Sequence, residues 1–375
     1  MNIGVKPNVN ILSWAINRAG YDVNEFTVKF PNVADWLTET KLPTQKQLED
    51  FSHKVHLPFG YLFLEQPPQE RLSFPFFRTG KTQTFDVSLN VYDTILLLQK
   101  RQDWLVEYLM DNKAKPLSFV GKFPSQSDFM SIVDDIRKVL RLDAEWASTQ
   151  KNYTEALDFL TDRVEEVGIL MNFNSVVENN NRRAIAVEEC RGFVLVDQYA
   201  PFMFINAADG KAAQLFTIAH ELAHVWTGRS AGFDMQGLLP ADDPIEQLCD
   251  KVAAELLVPG VSFNRKWEEL KDIPALARYF KVSQIVIARR ALDKDKIDKK
   301  QFFGWYNNYQ TELKDKKEKT TGGGDFYLTQ KKRLGLRFAG LVNQAVKESQ
   351  LLYRDAYKLT GLKGDTYQTF ISNNF

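Results

Sequence analysis

Two histidines and a glutamate occur in the chain at the spacing His220-Glu221-x-x-His224. The surrounding stretch, from Gln214 to Gly228, is apolar and contains no proline, so it predicts a buried helix. Residues four apart share one face of a helix, and His220 and His224 can therefore bind one metal ion. Glu221 lies about 100° further round the helix, where it can reach a water on that metal without binding the metal itself. A zinc hydrolase requires this arrangement.

A second helix is predicted from the stretch that follows, Asp243 to Gly260. Asp243 suits the N-cap, Pro244 suits the first helical position, and Pro259 marks the end. Acidic side chains on this helix are candidates for a third metal ligand, because a catalytic zinc ion usually has three protein ligands.

Glu246 is the predicted third ligand. It shares a helix face with Asp250, whereas Glu255 lies nine residues further on, about half a revolution away, so Glu246 and Glu255 cannot serve one site. Asp250 is then expected to orient one of the ligating histidines. A capping box with Asp243 is the alternative role for Glu246, and a solvated or salt-bridged surface position is favoured for Glu255. Cys249 lies near the same face and is interpreted as a small buried thiol rather than a fourth ligand.

Three segments, RGFVLVDQYAPFMFIN, FTIAHELAHVWTG and EQLCDKVAAELLVP, together resemble the ImmA/IrrE family of metallopeptidases. The resemblance covers roughly residues 160 to 265. The family pattern for the last segment is E-x-x-A-N-x-F-A-A-x-L-L-M-P. Cys249, Asp250, Val252 and Val258 depart from its commonest letters, but none of these departures removes a metal ligand.

The resemblance implies a gluzincin-like site, with His220, His224 and Glu246 as metal ligands and Glu221 as the general base. It also implies a zincin-like domain and a substrate that is a particular folded protein, typically a repressor. Two nitrogen ligands and one oxygen ligand suit Zn2+, and this donor set is also compatible with Mn2+.

Residues 8 to 64 are expected to form short helices joined by tight turns, which fits a helix-turn-helix domain. The segment is similar to the lambda-repressor-like (XRE-type) domain that often precedes ImmA/IrrE peptidases. Its third helix and the approach to it, Asn32 to Thr40, carry Asp35 and Glu39 and no Lys or Arg. A groove-reading helix normally contacts phosphates or bases. Binding to DNA and a role in protein contact or dimerisation therefore both stay open.

Further elements follow from hydrophobic periodicity and turn residues. Helices are predicted over 85–112, over 127–142 with Ser127 as the N-cap, and over 153–167. Three strands of a small sheet are predicted at 168–173, 191–198 and 201–206, and the polar stretch 178–183 is predicted to be a loop. An edge strand of such a sheet is expected to bind the substrate chain by β-addition.

The predicted fold class is α+β and mostly helical, with a helix-turn-helix bundle, a peptidase domain containing the small sheet, and a helical C-terminal region. The C-terminal module has a basic N-terminal side and is interpreted either as an interaction module or as a solvated helix face. The predicted domains are a helix-turn-helix domain (1–66), a linker and helical region (67–150), the metallopeptidase domain (151–265), a helix-turn-helix-like cap (266–312), a linker (313–325) and the C-terminal helical module (326–375).

Composition limits the classes of partner. The 375 residues carry 48 basic and 48 acidic side chains, so overall charge gives no argument for binding nucleic acid. Two cysteines do not make a disulfide framework, which fits a reducing cytosol. The N-terminus lacks a signal-peptide core, and no apolar run is long enough to span a bilayer. A cytoplasmic protein without a membrane partner is therefore expected.

Two functions compete. The first is a zinc-dependent endopeptidase that cleaves a specific regulatory protein such as a repressor, coupled to transcriptional or stress regulation. The alternative is a DNA-binding transcriptional regulator or antitoxin-like protein whose metal site is structural or vestigial. The presence of Glu221 favours the first, because only catalysis requires a carboxylate at that position.

Overall fold

The computed structural model describes residues 6–68, 76–78, 87–124, 126–234, 243–316 and 326–375. The chain divides into two units, one made of residues 1–73 with 85–93 and the other of residues 74–84 with 94–375. The predicted linkers fall partly outside the described residues, at 69–75, 79–86 and 317–325.

The first unit is a bundle of short helices that begin at polar caps. The side chain of Asn8 accepts a hydrogen bond from the backbone of Asn10, and Thr44 and Gln47 form a reciprocal capping box. Apolar side chains from each helix fill a common core, in which Trp36 is buried. The predicted short helices are confirmed: α1 Val9–Arg18, α2 Val23–Lys29, α3 Pro31–Leu37, α4 Gln45–Lys54 and a 3-10 turn at Phe59–Phe63.

The strands of the second unit form a five-stranded mixed sheet and a separate hairpin. The strands are β1 Phe76–Arg78, β2 Leu170–Asn174, β3 Val176–Val177, β4 Asn180–Ala184, β5 Gly192–Leu195, β6 Phe202–Asn206 and β7 Ala231–Asp234. The order in the sheet is β1-β7-β5-β6-β2. Strand β5 runs antiparallel to both of its neighbours, whereas β2 is parallel to β6 and β1 is parallel to β7. The three predicted strands are confirmed as β2, β5 and β6, which lie side by side.

The predicted loop at 178–183 is wrong, because most of it belongs to the β3–β4 hairpin. The hairpin is organised by polar groups: Oδ1 of Asn174 accepts from the backbone N–H groups of Ser175 and Val176, and its Nδ2 donates to the carbonyl of Glu178. Most side chains of β4 are exposed. A strand without a buried face shows no apolar alternation, so hydrophobic periodicity could not reveal it.

The remaining helices confirm the predicted ones and add several more. The helix predicted over 127–142 begins one residue later than expected: its N-cap is Asp128, whose carboxylate accepts from the backbone N–H of Ser131, rather than Ser127. Among the described residues, no helix is long and apolar enough to cross a membrane. The helices are α5 Leu89–Asp111, α6 Phe129–Leu140, α7 Tyr153–Glu166, α8 Lys211–Thr227, α9 Pro244–Leu257, α10 Gly260–Leu270, α11 Ile273–Phe280, α12 Gln284–Asp293, α13 Lys299–Lys316, α14 Phe326–Leu334, α15 Leu336–Lys347, α16 Tyr353–Thr360 and α17 Gly364–Asn374.

Helix α8 is the central element of this unit. Every side chain from Gln214 to Thr227 is buried, and the helix contacts β5, β6 and β7 as well as α6, α7 and α9. A glycine on the sheet permits the close approach, because a Cβ at Gly192 would lie 2.5 Å from Cγ2 of Thr217. The helix ends at Gly228, whose φ of 74° is in the left-handed region that glycine adopts readily.

The start of the C-terminal module packs against the edge strand β2. The side chain of Asn172 donates to the backbone carbonyl of Arg333. The basic side chains face α7: Nζ of Lys332 lies 3.3 Å from Asp158, and Arg337 donates to the backbone carbonyl of Glu165. These contacts cover β2 along part of its free edge.

Candidate metal centre

The two histidines of the predicted motif meet at one point on α8. Nε2 of His220 lies 3.2 Å from Nε2 of His224, and both imidazoles are buried. Their spacing of four residues places them on the same face of the helix, as the sequence predicted. Since the helix is enclosed by the sheet and by other helices, both rings are held in a place without free access of water.

Helix α9 brings Glu246 to the same point. One carboxylate oxygen lies 3.1 Å from Nε2 of His220, and the other lies 3.2 Å from Nε2 of His224. The helix starts as predicted, because the side chain of Asp243 caps it by accepting from the backbone N–H of Ile245 at 2.7 Å. Glu246 is therefore not used in a capping box, and its side chain is turned towards the histidine pair.

Asp250 lies on the other side of the His220 ring. Its Oδ1 is 3.0 Å from Nδ1 of His220. A carboxylate accepts from an imidazole N–H, so this contact keeps a proton on Nδ1, and a metal would take the place of the proton on Nε2. The orienting role predicted for Asp250 agrees with this geometry.

Glu221 is fully buried, and among the described residues neither of its carboxylate oxygens has a hydrogen-bond partner. Burial raises the pKa of this carboxyl to about 8, with the charge of His220 opposing the shift and that of Glu246 adding to it. A buried carboxylate without a partner is costly. This buried carboxylate lies beside two imidazoles and a second carboxylate, and such a set of donors fits a divalent cation.

The charges of the site lead to the same conclusion. Burial by itself lowers the pKa of His220, but hydrogen bonds to Asp250 and Glu246 outweigh it and raise the pKa to about 10. Burial raises the pKa of Glu246, yet the neighbouring imidazoles hold it below its usual range. The carboxylates thus stabilise positive charge at the point where the ring nitrogens meet, which a bound cation would supply.

Glu255 lies away from the histidines and forms an ion pair, one of the two predicted alternatives, but the predicted surface position is wrong because the pair is buried. Only 9% of its side chain is exposed, and its carboxylate pairs with the buried guanidinium of Arg290 and accepts from the backbone N–H of Gly260. The ion pair joins α9 to α12, and its formation depends on a residue 35 positions away in the chain.

Cys249 lies at the site as well. It is buried, as predicted, and its Sγ, one ring nitrogen of His220 and one ring nitrogen of His224 all lie within 4.8 Å of one another. The sequence predicts a small buried thiol here rather than a fourth ligand, and Cys249 lies three residues after Glu246 on the same helix.

Two family models match parts of the chain. Residues 334–373 match a domain of unknown function, DUF8813. No curated protein and no solved structure gives a match. Residues 164–292 match the Peptidase_M78 family model, the IrrE N-terminal-like domain, a stretch that runs from the end of α7 to α12. The part of the chain that holds His220, His224 and Glu246 is thus similar to the ImmA/IrrE metallopeptidases.

Proposed function

We propose that this protein is a zinc-dependent endopeptidase of the gluzincin type, which cleaves a specific regulatory protein such as a repressor. The observation that carries the proposal is the meeting of His220, His224 and Glu246: the two Nε2 atoms are 3.2 Å apart, and each lies 3.1–3.2 Å from a different carboxylate oxygen of Glu246. Zn–N and Zn–O bonds of about 2.0–2.1 Å in a tetrahedral site place donor atoms about 3.3 Å apart. The three side chains fit a zinc ion with little rearrangement.

Zinc, when bound, would acidify a water and polarise the carbonyl of the scissile peptide bond. Glu221 carries the proton in this proposal. Its carboxylate takes up the proton of the attacking water and returns it to the leaving amine. Because no described side chain engages its oxygens by a hydrogen bond, the carboxylate is available for both transfers. Asp250 holds the ring of His220 in the orientation that ligation requires.

A substrate chain was expected to add to an edge of the sheet. Strand β2 has part of its edge covered by residues around Arg333, and Gly335 packs against the carbonyl of Met171. At the opposite end of the sheet, β7 contacts α8 and is paired with β1, so the edge strand there is β1. We propose that the substrate is bound at the β1 edge.

The competing function, a DNA-binding regulator with a structural or vestigial metal site, depends on the N-terminal bundle. Helix α3 carries no Lys or Arg, and its Asp35 forms an ion pair with Lys41 at 3.0 Å. Neither family match covers this bundle. The structure of the bundle adds no feature that favours DNA over a protein partner, so the endopeptidase is the better supported function.

The test uses Glu221→Gln with a co-expressed regulator encoded by a neighbouring gene. Glutamine fills the same space but cannot accept the proton of the water, and general base catalysis is worth roughly 100- to 10,000-fold. We expect wild type to cleave the regulator, and Glu221→Gln to bind as much zinc without cleaving it. Undiminished cleavage by Glu221→Gln would remove the mechanism proposed here. A gel shift with the upstream DNA tests the competing function in parallel.

A further inference from the structure

A second kind of donor, the thiol of Cys249, lies beside the imidazoles and carboxylates of the metal centre. Sγ of Cys249 and ring nitrogens of His220 and His224 lie within 4.8 Å of one another, and all three side chains are buried. Glu246, three residues earlier on α9, shares its helix face and faces the same two rings. One face of α9 therefore directs an oxygen donor and a sulfur donor at the histidine pair of α8.

Without a metal, the surroundings of the thiol keep it neutral, as in a core residue. Burial, and after it the charges of Glu246 and Glu221, raise the pKa of Cys249 well above its usual range. A divalent cation at the histidine pair would reverse this balance, because a thiol that coordinates a metal loses its proton.

We propose that Cys249 is a fourth protein ligand of the metal, and that it holds the site closed in the resting protein. The inference rests on the proposed metallopeptidase site. On binding, the Sγ–H bond breaks, the proton passes to solvent and Sγ binds the metal. Zn–S and Zn–N bonds of about 2.3 and 2.0–2.1 Å place sulfur about 3.6 Å from each ring nitrogen. The distances from Sγ of Cys249 to the ring nitrogens are at most 4.8 Å. A small rotation of the Cys249 side chain would shorten them to bonding geometry.

Two consequences follow for the chemistry of the site. A catalytic zinc site keeps one position open, whereas a site with four protein ligands is closed, so Cys249 has to leave the metal before the substrate can be cleaved. A thiolate also selects zinc over manganese, because manganese prefers oxygen donors. The wild-type protein is thus a latent peptidase with a stronger preference for zinc than a site of two histidines and one glutamate would have.

The experiment replaces zinc with cobalt in the full-length protein and records the near-ultraviolet absorption of the cobalt–thiolate bond. Wild type is compared with Cys249→Ala, Cys249→Ser and, as a matched control, Cys190→Ala. Cys190 is the other cysteine of the chain; it is buried and lies outside the group of candidate ligands. We expect the absorption in wild type and Cys190→Ala but not in either Cys249 variant. The alanine residue that the family pattern carries at this position indicates that Cys249→Ala folds.

Zinc affinity and cleavage complete the test. Cys249→Ala should bind zinc at least roughly 10-fold more weakly, since even the loss of a group that only orients a ligand has an effect of this size. It should also cleave the regulator faster than wild type, and Cys249→Ala/Glu221→Gln should not cleave it. One bound cobalt per wild-type chain without the thiolate absorption would overturn the role of Cys249 and leave the proposed peptidase intact. Failure of wild type and all variants to bind cobalt or zinc would instead remove the metal site itself.

Discussion

Oδ1 of Asp250 lies 3.0 Å from Nδ1 of His220, while a carboxylate oxygen of Glu246 lies 3.1 Å from Nε2 of the same ring. The imidazole is held between two carboxylates that are four residues apart on α9. Because the two contacts involve different ring nitrogens, the carboxylates have different roles. We propose that Asp250 orients the ring and that Glu246 shares the point at which a metal would bind.

Asp250→Ala is expected to weaken zinc binding by about 10- to 100-fold, the usual effect of removing a group that orients a ligand. The variant also removes an acceptor from the buried Nδ1 of His220, so its metal-free form should melt below the wild-type temperature. Competition with a chromogenic chelator measures the affinity. Asp250→Asn keeps an acceptor oxygen, so its zinc affinity should lie between those of wild type and Asp250→Ala. Equal zinc affinity in wild type and Asp250→Ala would contradict the orienting role.

Glu246→Ala should lose bound zinc, as should His220→Ala, because each removes one of three donors that meet within 3.2 Å. Glu255→Gln is the matched control on the same helix. It should keep one zinc per chain, since Glu255 faces Arg290 and not the histidines. It should also melt at a lower temperature, because breaking a buried ion pair costs about 3–5 kcal/mol.

Metal content by atomic spectroscopy and thermal melts of the metal-free proteins separate the two effects. The choice of third ligand fails if Glu255→Gln strips the metal while Glu246→Ala retains it. A loss of metal in both variants, with both still folded, would also count against the present assignment.

The parts of the fold that the sequence predicted are those coded locally. The helix around His220 and His224 shows its apolar flanks and metal-binding spacing within fifteen residues. The choice of Glu246 over Glu255 as the candidate third ligand used only the angular spacing of residues on one helix. The burial of Glu255 could not be predicted in this way. It depends on a guanidinium from α12, and only the tertiary structure brings that partner into reach.

The strands at the margins of the sheet were missed for a related reason. β1 and β7 are three and four residues long, and each is defined by pairing with a distant segment. The β3–β4 hairpin is held by the side chain of Asn174 and has no apolar pattern. The predicted N-cap at Ser127 instead of Asp128 shows that two adjacent capping residues cannot be ranked without the backbone geometry.

Gly192→Ala is expected to destabilise the protein. The new Cβ would lie 2.5 Å from Cγ2 of Thr217 and 2.8 Å from the carbonyl oxygen of Phe204, so α8 would have to move away from β5. Overpacking of this kind costs about 1–3 kcal/mol. Gly304→Ala is the control, because nothing lies within 4 Å of its added Cβ and the residue is inside α13. It should stabilise the protein by up to about 1 kcal/mol.

Urea unfolding of both variants checks this prediction. A midpoint for Gly192→Ala that equals that of wild type would show that α8 and β5 do not need the close approach. Zinc affinity should fall in Gly192→Ala as well, since α8 carries both histidines. It should be unchanged in Gly304→Ala.

Glu165 gives a prediction about pH. Burial, and then the charge of Asp162, raise the pKa of Glu165 from 4.5 to about 7, against the backbone hydrogen bond from Met171 and the charge of Arg337. The folded protein therefore binds this proton more tightly than the unfolded chain does. The resulting stabilisation is fully present below pH 4.5 and is lost as the pH rises through 7. Loss of the proton from Glu165 should therefore make wild type less stable as the pH rises over this window.

Glu165→Gln stays neutral at every pH, so it should remove this loss. At pH 8 the variant is expected to melt at a higher temperature than wild type, and the difference should shrink as the pH falls towards 4.5. Glu166→Gln is the neighbouring control, since Glu166 is 57% exposed and pairs with Arg163 at the surface. Thermal melts of the metal-free proteins from pH 4.5 to 8 measure the effect. Parallel curves for wild type and Glu165→Gln would show that the buried carboxyl does not titrate in this range, and that the contacts between α7 and the C-terminal module hold it charged.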